Sequence, residues 1–560
     1  MKTGILYFFL CTSILFGQQT YKNGMVVSAH PLASQTGTAI LKKGGNAIDA
    51  AIAVQFSLSV VLPIAGNIGG GGFLVYRSAD GKYDALDYRE TAPGKASRDM
   101  YLDKDGNPVG KLSLEGQLAS GVPGTVAGMV EAHKKYGKLK WEDLLQPAID
   151  QAENGFYLTA AQAGEFNSAY EKFKKWNPGG SAFTIKNNWQ EGDLFVQKEL
   201  AETLKLIQKY GIKGFYEGKT AQFIVDEMNK GNGLISLDDL KNYRAEWREA
   251  VSGNYKNYKI ISMPPPSSGG IALISLFHSV EDYPLKEWGF QHDKTIQLMV
   301  EAERRVYADR AVHLGDPDFF SVPQNELLKK ENSVFRMRNF SFEHATSSSA
   351  VAASDFKNTE SPETTHYNVV DKDGNAVSVT TTLNGAFGSF VVVGQAGFLL
   401  NNEMDDFSIK PGAPNLYGLT GGEANAIQPG KRMLSSMTPT IVEKDGKLFM
   451  VIGTPGGSTI ITSVFQTLLN VIEFDQNIQQ AVAAPRFHHQ WLPDEIFVEK
   501  NAISEDTKER LTKKGYIFVS KSPWGWIGGS WGRVDAIMVL PDGSYSGGAD
   551  PRGDDSISAY

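Results

Sequence analysis

The sequence has very little cysteine, and this scarcity limits the chemistry open to it. Of its 560 residues only Cys11 is a cysteine. Cys11 lies in an apolar stretch from Ile5 to Phe16 that follows Lys2, which is the pattern of a secretory signal peptide. We predict that residues 1–17 are removed on export across the inner membrane to the periplasm. The mature chain would then contain no thiol, which excludes a cysteine nucleophile, a disulfide framework and a thiolate metal site.

Long hydrophobic runs and basic clusters are also scarce. The N-terminal apolar stretch is too short for a stop-transfer helix, so we expect no membrane span once the signal is removed. The formal net charge is -8 and the pI is near 5.7, and no cluster of Lys and Arg stands out that could bind a phosphate backbone. A nucleic acid is therefore not an expected partner. With 41% hydrophobic and 21% charged residues, the chain is ordinary globular material, and a small-molecule substrate is the better expectation.

No pattern typical of a bound cofactor or metal ion is found. The glycine run Gly69–Gly72 lacks the spaced glycines that open a helix in dinucleotide-binding folds. The adjacent His488 and His489 would point in opposite directions on a strand, His366 is remote in sequence, and no carboxylate has ligand spacing to them. We expect no cofactor, no metal site and structural roles for these histidines.

Hydrophobic periodicity and turn signals predict an α+β fold. Seven helical patterns fall mostly in the first half of the chain: 31–43, 46–61, 124–136, 198–210, 237–243, 271–280 and 293–314. Asp-Gly pairs flanked by strand-like residues occur at positions 80, 373, 445 and 542, and such pairs are strong signals of antiparallel hairpins. Helices in front of and among the hairpins favour a sandwich of helix on sheet over a doubly wound parallel fold.

A polar segment in the middle of the chain leads directly into a strand. Between Ser341 and Glu363 the sequence is rich in Ser, Thr, Ala, Asn and Glu and has little periodicity. Composition alone favours a surface linker. However, Thr364 and Thr365 open a strong strand pattern, HYNVVD. A cleavable segment that runs into a strand beginning with threonine is what a self-processing N-terminal nucleophile requires.

Hairpin geometry suggests which residues meet Thr364. If Lys372, Asp373 and Gly374 form a three-residue loop, the paired positions set Thr364 opposite Thr382. The Thr382 hydroxyl could then hydrogen-bond to the nucleophile. The preference of threonine for strands would by itself explain a threonine here.

The same loop rule applied to the Asp-Gly at 445 sets Ser436 opposite Thr454. It also brings Ser435, Ser436 and the turn Gly456-Gly457 to one end of a single hairpin. Adjacent glycines let backbone N–H groups approach a ligand closely, as an oxyanion hole needs. A simple tight turn would also explain them.

The third hairpin, at the Asp-Gly of position 80, pairs Ser78 with Lys82 and puts Arg89 beside Gly71. An arginine presents a bidentate fork that fits a carboxylate. On its own, an arginine in the sequence DYRE is more often part of a surface ion pair.

Together these segments resemble the γ-glutamyltransferase family over most of the chain after the signal. The resemblance is strongest from Glu360 to Asp406, which contains ESPETTHYNVVDKDGNAVSVTTTLN and GFLLNNEMDDFS. Further matching motifs are GGNAIDAA, NIGGGGF, YRETAP, SGVPGTVAG, PPPSSGG, KRMLSSMTPT, GTPGGS and APRFHHQWLPDE. The resemblance implies the four-layer αββα sandwich of the N-terminal nucleophile hydrolases. It also implies a cut between Glu363 and Thr364 that yields a large subunit, 18–363, and a small subunit, 364–560.

The resemblance implies a role for each matching site residue. Thr364 would be the nucleophile, with Thr382 as its hydroxyl partner. The oxyanion hole would be formed by Gly456 and Gly457. The residues that bind the α-carboxylate of the donor would be Arg89, Ser435 and Ser436, and those that bind its α-ammonium would be Asn384, Glu403 and Asp406. The implied activity is transfer of the γ-glutamyl group of glutathione and related amides to water or amino acids through an ester on Thr364.

Two other functions remain open from the sequence. An acylase for β-lactam or glutaryl side chains could use the same scaffold, and an inactive binding or surface protein would remain a single intact chain. The segment PGAPNLYGLTGGEAN after Asp406 resembles the lid loop of the family, with Tyr417 at its tip. Some members lack this loop, so its presence favours small γ-glutamyl donors.

Overall fold

A computed structural model describes residues 19–352, 365–410, 423–520 and 531–560. The predicted signal peptide, Thr364 and Tyr417 lie outside these described residues.

The described residues form eighteen strands and seventeen α-helices, numbered from the N-terminus. The strands are β1 Gly24–Ser28, β2 Gly71–Arg77, β3 Tyr83–Asp87, β4 Phe156–Tyr157, β5 Leu194–Phe195, β6 Glu246–Arg248, β7 Val251–Tyr255, β8 Tyr258–Ser262, β9 Thr365–Asp371, β10 Ala376–Thr382, β11 Thr440–Lys444, β12 Lys447–Gly453, β13 Phe487–His488, β14 Ile496–Val498, β15 Phe518–Val519, β16 Asp535–Val539, β17 Tyr545–Gly548 and β18 Ser556–Ala559. The helices are α1 Pro31–Lys42, α2 Ala47–Val61, α3 Thr125–Tyr136, α4 Trp141–Asn154, α5 Ala160–Trp176, α6 Lys198–Tyr210, α7 Lys213–Tyr216, α8 Gly218–Lys230, α9 Leu237–Asn242, α10 Gly269–Val280, α11 Leu285–Trp288, α12 Asp293–His313, α13 Gln324–Leu327, α14 Lys330–Met337, α15 Thr459–Ile472, α16 Ile478–Ala483 and α17 Glu505–Lys513.

Two antiparallel sheets lie face to face at the centre of the molecule. The first has the strand order β18-β1-β9-β10-β2-β3-β6, and the second has the order β17-β16-β12-β11-β8-β7. Side chains alternate between the two faces of a strand, so Val27 of β1 packs with Ile441 and Val451 of the second sheet. Its neighbour Val26 points the other way and packs in the cluster that contains α2.

Helices cover both outer faces. The first sheet packs against a layer that includes α1 to α4, and the second packs against α10, α12 and α15. The layers are therefore helix, sheet, sheet and helix, which confirms the predicted αββα sandwich. Every residue of α2 is buried, as its nearly uniform apolar sequence predicts.

The seven predicted helices are all present, each within two residues of its predicted ends. Several further helices were not predicted, among them α4, α5, α8 and α15. The omission of α15 matters for function, because Ser458, the residue after the glycine pair at 456 and 457, is the N-cap of this helix.

Two of the hairpin registers are confirmed. The N–H of Asp371 donates to the carbonyl of Asn375 at 3.1 Å, and Thr381 lies opposite Thr365, as the three-residue loop requires. At the Asp-Gly of position 80, Ser78 bonds to Lys82 at 2.8 Å.

The register predicted for the hairpin of β11 and β12 is wrong. Lys444 pairs with Lys447, so the loop has two residues, Asp445 and Gly446, with φ of 51° and 77°. Two left-handed residues in succession form the tight two-residue hairpin turn. A bulge beyond the loop shifts the register again, and Thr440 pairs with Ile452.

Ser436 is therefore not opposite Thr454. The two segments do meet at one end of the hairpin, since Ser435 and Ser436 precede β11 and the glycine pair follows β12.

Candidate active site

Arg89 lies fully buried just after the end of β3. Its Nε donates to the carbonyl of Met433 at 3.2 Å and its Nη2 to the carbonyl of Leu434 at 3.2 Å. Its own N–H is held by the Asp87 carboxylate at 2.9 Å. These bonds fix the guanidinium against the stretch that leads to Ser435.

Two carboxylates face the same guanidinium. Nη1 of Arg89 donates to Glu403 and Nη2 donates to Asp406, and both acids are fully buried. They belong to one short turn, Glu403–Asp406, whose first N–H is held by the side chain of Asn401 at 3.0 Å. The site therefore contains a cationic end and an anionic end in direct contact.

Burial and charge oppose each other in this cluster. Burial raises the pKa of Glu403 well above its usual range, although the Arg89 charge acts in the opposite direction. Burial lowers the pKa of Arg89, but the neighbouring carboxylates outweigh that effect and hold it above its ordinary value. Arg89 is thus a permanent cation beside the two acids.

A third buried acid, Glu90, was not among the predicted site residues. One of its oxygens lies 3.6 Å from Nη1 of Arg89. Burial raises the pKa of Glu90 to about 7, with Arg89 opposing that effect. Adjacent residues of a strand point to opposite faces, but β3 ends at Asp87, so Glu90 can share the pocket with Arg89. The sequence feature that could have indicated Glu90 as a site residue is its position directly after Arg89.

The predicted serines are anchored by the PPPSSGG segment. The carbonyl of Ser435 accepts bonds from both the N–H and the hydroxyl of Ser268, each at 2.7 Å. The hydroxyl oxygen of Ser436 accepts a bond from Nη2 of Arg310. Both serines are fully buried.

Asn384 connects Thr382, the predicted hydrogen-bond partner of the nucleophile, to the turn that contains Glu403 and Asp406. Its N–H donates to the Thr382 hydroxyl at 2.7 Å, and its side-chain amide donates to the carbonyl of Asn402 at 3.0 Å. Asn402 immediately precedes Glu403. Asn384 adopts a left-handed backbone with φ of 68°, a conformation that asparagine tolerates better than most residues.

Gly456 and Gly457 lie directly before the N-terminal turn of α15. The carbonyl of Gly456 accepts the N–H of Thr459 at 3.0 Å. Within the described part of the chain, neither glycine N–H donates a backbone hydrogen bond. A Cβ at Gly456 would lie 2.6 Å from the Thr459 hydroxyl. Two available N–H groups at the positive end of a helix can stabilise an oxyanion.

The structure therefore brings the described site residues to the rims of the two sheets. Thr382 ends β10 and lies opposite Gly71 of β2, near the residues that follow β3. The roles predicted for these residues remain predictions, as do those of Thr364 and Tyr417, which lie outside the described residues.

The histidines considered as metal ligands are His366, His488 and His489. The first two have neutral hydrogen-bond partners, and His489 has one carboxylate partner. His366 contacts Thr380 at 2.9 Å and Asn368 at 3.0 Å, and His488 contacts Thr462 at 2.9 Å. Burial lowers the pKa of His366 and that of His488 to about 3. In the described ranges no group of three or more metal-ligating side chains is gathered. No helix in those ranges has the length and apolar character to cross a bilayer.

Comparison with known proteins gives a consistent result. Residues 33–560 match the family model described as gamma-glutamyltranspeptidase. The glutathione hydrolase proenzyme of Escherichia coli K12 is 47% identical over 540 residues, which cover 96% of this chain and 92% of that protein. The Acylase ACY 1 proenzyme of Pseudomonas sp. strain V22 is 36% identical over 543 residues, which cover 96% of this chain and 93% of that protein.

Solved structures share the fold. The cephalosporin acylase from Bacillus halodurans superposes with a TM-score of 0.86 at 28% identity, covering 97% of both chains. A chain of the Helicobacter pylori gamma-glutamyltranspeptidase is 47% identical with a TM-score of 0.59, covering 60% of this chain and 97% of that one. The match of the family model to nearly the whole chain, with these relatives, means that the chain belongs to the gamma-glutamyltranspeptidase family.

Proposed function

We propose that the protein is a self-processing γ-glutamyltransferase and glutathione hydrolase that works through an ester on Thr364. The observation that carries the proposal is the buried contact of Arg89 with Glu403 and Asp406. A γ-glutamyl donor ends in an α-carboxylate and an α-ammonium on one carbon. A cation beside two acids complements both groups of this zwitterion.

Donor binding would exchange partners within the site. Four hydrogen bonds from the Arg89 guanidinium go to protein groups, two of them to Glu403 and Asp406. The donor α-carboxylate would replace the acids at Arg89, and the α-ammonium would take up the acids that are released. The exchange leaves the net charge of the buried cluster unchanged, which avoids the cost of an unpaired buried charge. Ser435, Ser436 and Asn384 would complete the contacts.

Self-cleavage would start with the Thr364 hydroxyl. It would attack the carbonyl of Glu363, and the resulting ester would be hydrolysed by water. The products are a large subunit, 18–363, and a small subunit, 364–560, with a new α-amine on Thr364. This amine has a pKa closer to neutrality than that of a lysine, so it can act as the general base in catalysis. The name proenzyme carried by the E. coli relative supports a precursor of this kind.

Transfer would use the same hydroxyl a second time. Thr364 attacks the γ-amide carbonyl of the donor while Thr382 orients the nucleophile. The N–H groups of Gly456 and Gly457 would stabilise the oxyanion, and the amine product leaves with a proton returned by the Thr364 α-amine. Water then releases glutamate from the ester, or an amino acid attacks it through its amine and forms a new γ-glutamyl amide. No cofactor is needed.

Export belongs to the proposal as well. The apolar segment before residue 18 supports cleavage of a signal peptide and a periplasmic location, where the mature enzyme would meet small γ-glutamyl compounds.

An acylase is the second candidate, because relatives named acylase are 36% identical over most of the chain. Mass spectrometry of the purified mature protein should find a fragment that begins at Thr364, as either activity requires. A matched pair of anilides separates the two, because a glutaryl group differs from a γ-glutamyl group only in lacking the α-ammonium. We expect clear preference for the γ-glutamyl anilide, since Glu403 and Asp406 have no partner in the glutaryl compound. Equal or faster release from the glutaryl anilide would support the acylase instead.

A further inference from the structure

The helix α12, in the outer layer, contacts both the segment beside the glycine pair and the segment that contains the predicted serines. From α12, the Tyr307 hydroxyl donates to the carbonyl of Ser458, next to the glycine pair. One turn further, Arg310 donates through Nη2 to the hydroxyl of Ser436 and through Nε to the hydroxyl of Ser268 at 2.8 Å. Tyr307 and Arg310 are both buried to within 1% of full burial. Neither residue was singled out in the sequence.

The bond from Arg310 decides what the Ser436 hydroxyl can do. A hydroxyl has one proton to donate and two lone pairs. The guanidinium has no acceptor, so the Ser436 oxygen must accept, and its own proton is left to donate. Among the described residues the Ser436 hydroxyl takes part in the hydrogen bond from Arg310 and donates none of its own. A cation bonded to the oxygen also polarises the O–H group.

The second bond fixes the chain beside that hydroxyl. The Ser268 hydroxyl accepts from Arg310 and donates to the carbonyl of Ser435 at 2.7 Å. Arg310 thus holds both the side chain of Ser436 and the backbone of Ser435. Burial lowers the pKa of Arg310 to about 9, while Tyr307 and Asp406 act in the opposite direction. A buried cation at this place favours the arrival of an anion.

We infer that Arg310 is a positioning residue for the donor α-carboxylate, acting through Ser436 and Ser268 without touching the donor. The inference rests on the proposed function. Because Arg310 donates to the Ser436 oxygen, the Ser436 hydroxyl can only donate its proton to the carboxylate. Through Ser268, Arg310 also holds the backbone of Ser435 in place beside that hydroxyl.

Another arginine of the same helix provides a matched control. Arg305 is also buried, but it bonds to the Glu301 carboxylate, to the carbonyl of Arg336 at 2.8 Å and to Asn339 at 2.8 Å. It holds the fold together without contacting the site serines. Arg305→Met therefore reports what the loss of a buried arginine from α12 does by itself.

The test compares Arg310→Met and Arg305→Met with three anilide donors. The γ-glutamyl and glutaryl anilides carry the carboxylate, and the 4-aminobutyryl anilide lacks it but keeps the ammonium. We expect Arg310→Met to lower kcat/KM for the two carboxylate donors by about tenfold to a hundredfold. The value for the 4-aminobutyryl donor should stay within about twofold on the same basis. An equal loss on all three donors, as a structural defect would give, would overturn the inference.

A double-mutant cycle tests the route through Ser436. In a Ser436→Ala background Arg310→Met should lower kcat/KM for the γ-glutamyl anilide much less than in the wild type, because the group on which it acts is gone. Full additivity would contradict the inference.

If Arg310→Met is not cut into subunits on a denaturing gel, Arg310→Gln keeps an N–H donor and serves for the same cycle. A wild-type enzyme that fails to release the anilide from any γ-glutamyl donor would refute the proposed function itself. If the wild type is active but the effects of Arg310→Met and Ser436→Ala are additive, only the role of Arg310 is refuted.

Discussion

The main-chain N–H of Asn384 donates a hydrogen bond to the side-chain oxygen of Thr382 at 2.7 Å. An oxygen that accepts in this way keeps its own proton for donation. Thr382 ends β10, which pairs antiparallel with β9, and β9 begins at Thr365, the residue after Thr364. The bond therefore supports the proposal that Thr382 donates to the nucleophile.

Thr364 is the most decisive position to change. Thr364→Ala should leave one uncut chain without transferase activity, because in the proposed mechanism a single hydroxyl performs both self-cleavage and donor attack. Thr364→Ser keeps the oxygen but lacks the methyl group that restricts χ1, so it should be cut slowly and retain part of the activity. A denaturing gel beside a γ-glutamyl anilide assay of the three proteins checks both points. Two bands from the alanine variant would locate the cleavage chemistry elsewhere.

Arg89 should matter for donor binding more than for self-cleavage. Arg89→Lys keeps the charge but loses the fork, so we expect a higher KM for the donor, a loss of about 2 to 4 kcal/mol in transition-state binding, and normal cleavage. Arg89→Ala should in addition lower the melting temperature, because Glu403 and Asp406 lose their buried cation. Arg77→Lys is the control, since Arg77 forms a buried pair with Glu443 at 2.7 Å on another part of the first sheet. Unchanged donor kinetics in Arg89→Lys would remove Arg89 from the site.

Glu90 should make stability depend on pH. Its pKa is raised from 4.5 to about 7 on folding, chiefly by burial. The folded state therefore binds this proton more tightly than the unfolded chain, and the resulting stability is complete below about pH 4.5 and lost as the pH rises through 7. Glu90→Gln resembles the protonated acid, so it should unfold at a higher temperature than the wild type. This advantage should grow between pH 5 and pH 8 and reach about 1 to 3 kcal/mol in free energy of unfolding. The exposed Glu202 changed to Gln should show no such trend, and a constant difference for Glu90→Gln would contradict the expectation.

Gly456 should affect turnover more than binding. Its φ is 132° and an added Cβ would lie 2.9 Å from the backbone of Gly532, so Gly456→Ala must displace the turn that presents the two N–H groups. We expect kcat to fall by about a hundredfold or more with a small change in KM. Gly543→Ala is a control with a comparable left-handed φ of 82° and no neighbour within 4 Å of the added Cβ. Normal turnover by Gly456→Ala would argue against an oxyanion hole at this turn.

Local sequence signals predicted helix packed on antiparallel sheet, and the family resemblance implied the four layers, but not every hairpin register followed. Asp373-Gly374 and Asp445-Gly446 have the same letters, yet the first closes a three-residue loop and the second a two-residue loop. What separates them is whether the residue before glycine turns left-handed, as Asp445 does with φ of 51°. That choice follows from the pairing and bulge of the flanking strands, which the Asp-Gly pair does not encode.

Site residues were predicted where the family resemblance gives a residue a role, and Glu90 and Arg310, to which it gave none, were missed. Arg89, Glu403 and Asp406 were named from their motifs, and the structure brings them into direct contact. Arg310 lies on a helix 126 residues before Ser436, and nothing in its local pattern distinguishes it from Arg304 and Arg305. Only the packing of α12 against the second sheet reveals that it reaches the serines.

The order of strands in the first sheet bears on what the proposed cut could do to the molecule. With a cut before Thr364, β9 and β10 would belong to the small subunit, yet they lie between β1 and β2 of the large one, and β18 lies beyond β1 at the edge of the sheet. Strands of both proposed subunits would alternate in one sheet. Breaking one peptide bond would therefore create a new chain end without releasing a subunit. Separation would require tearing several strands from the middle of a sheet, which amounts to unfolding. Dilution should therefore not separate the two proposed subunits.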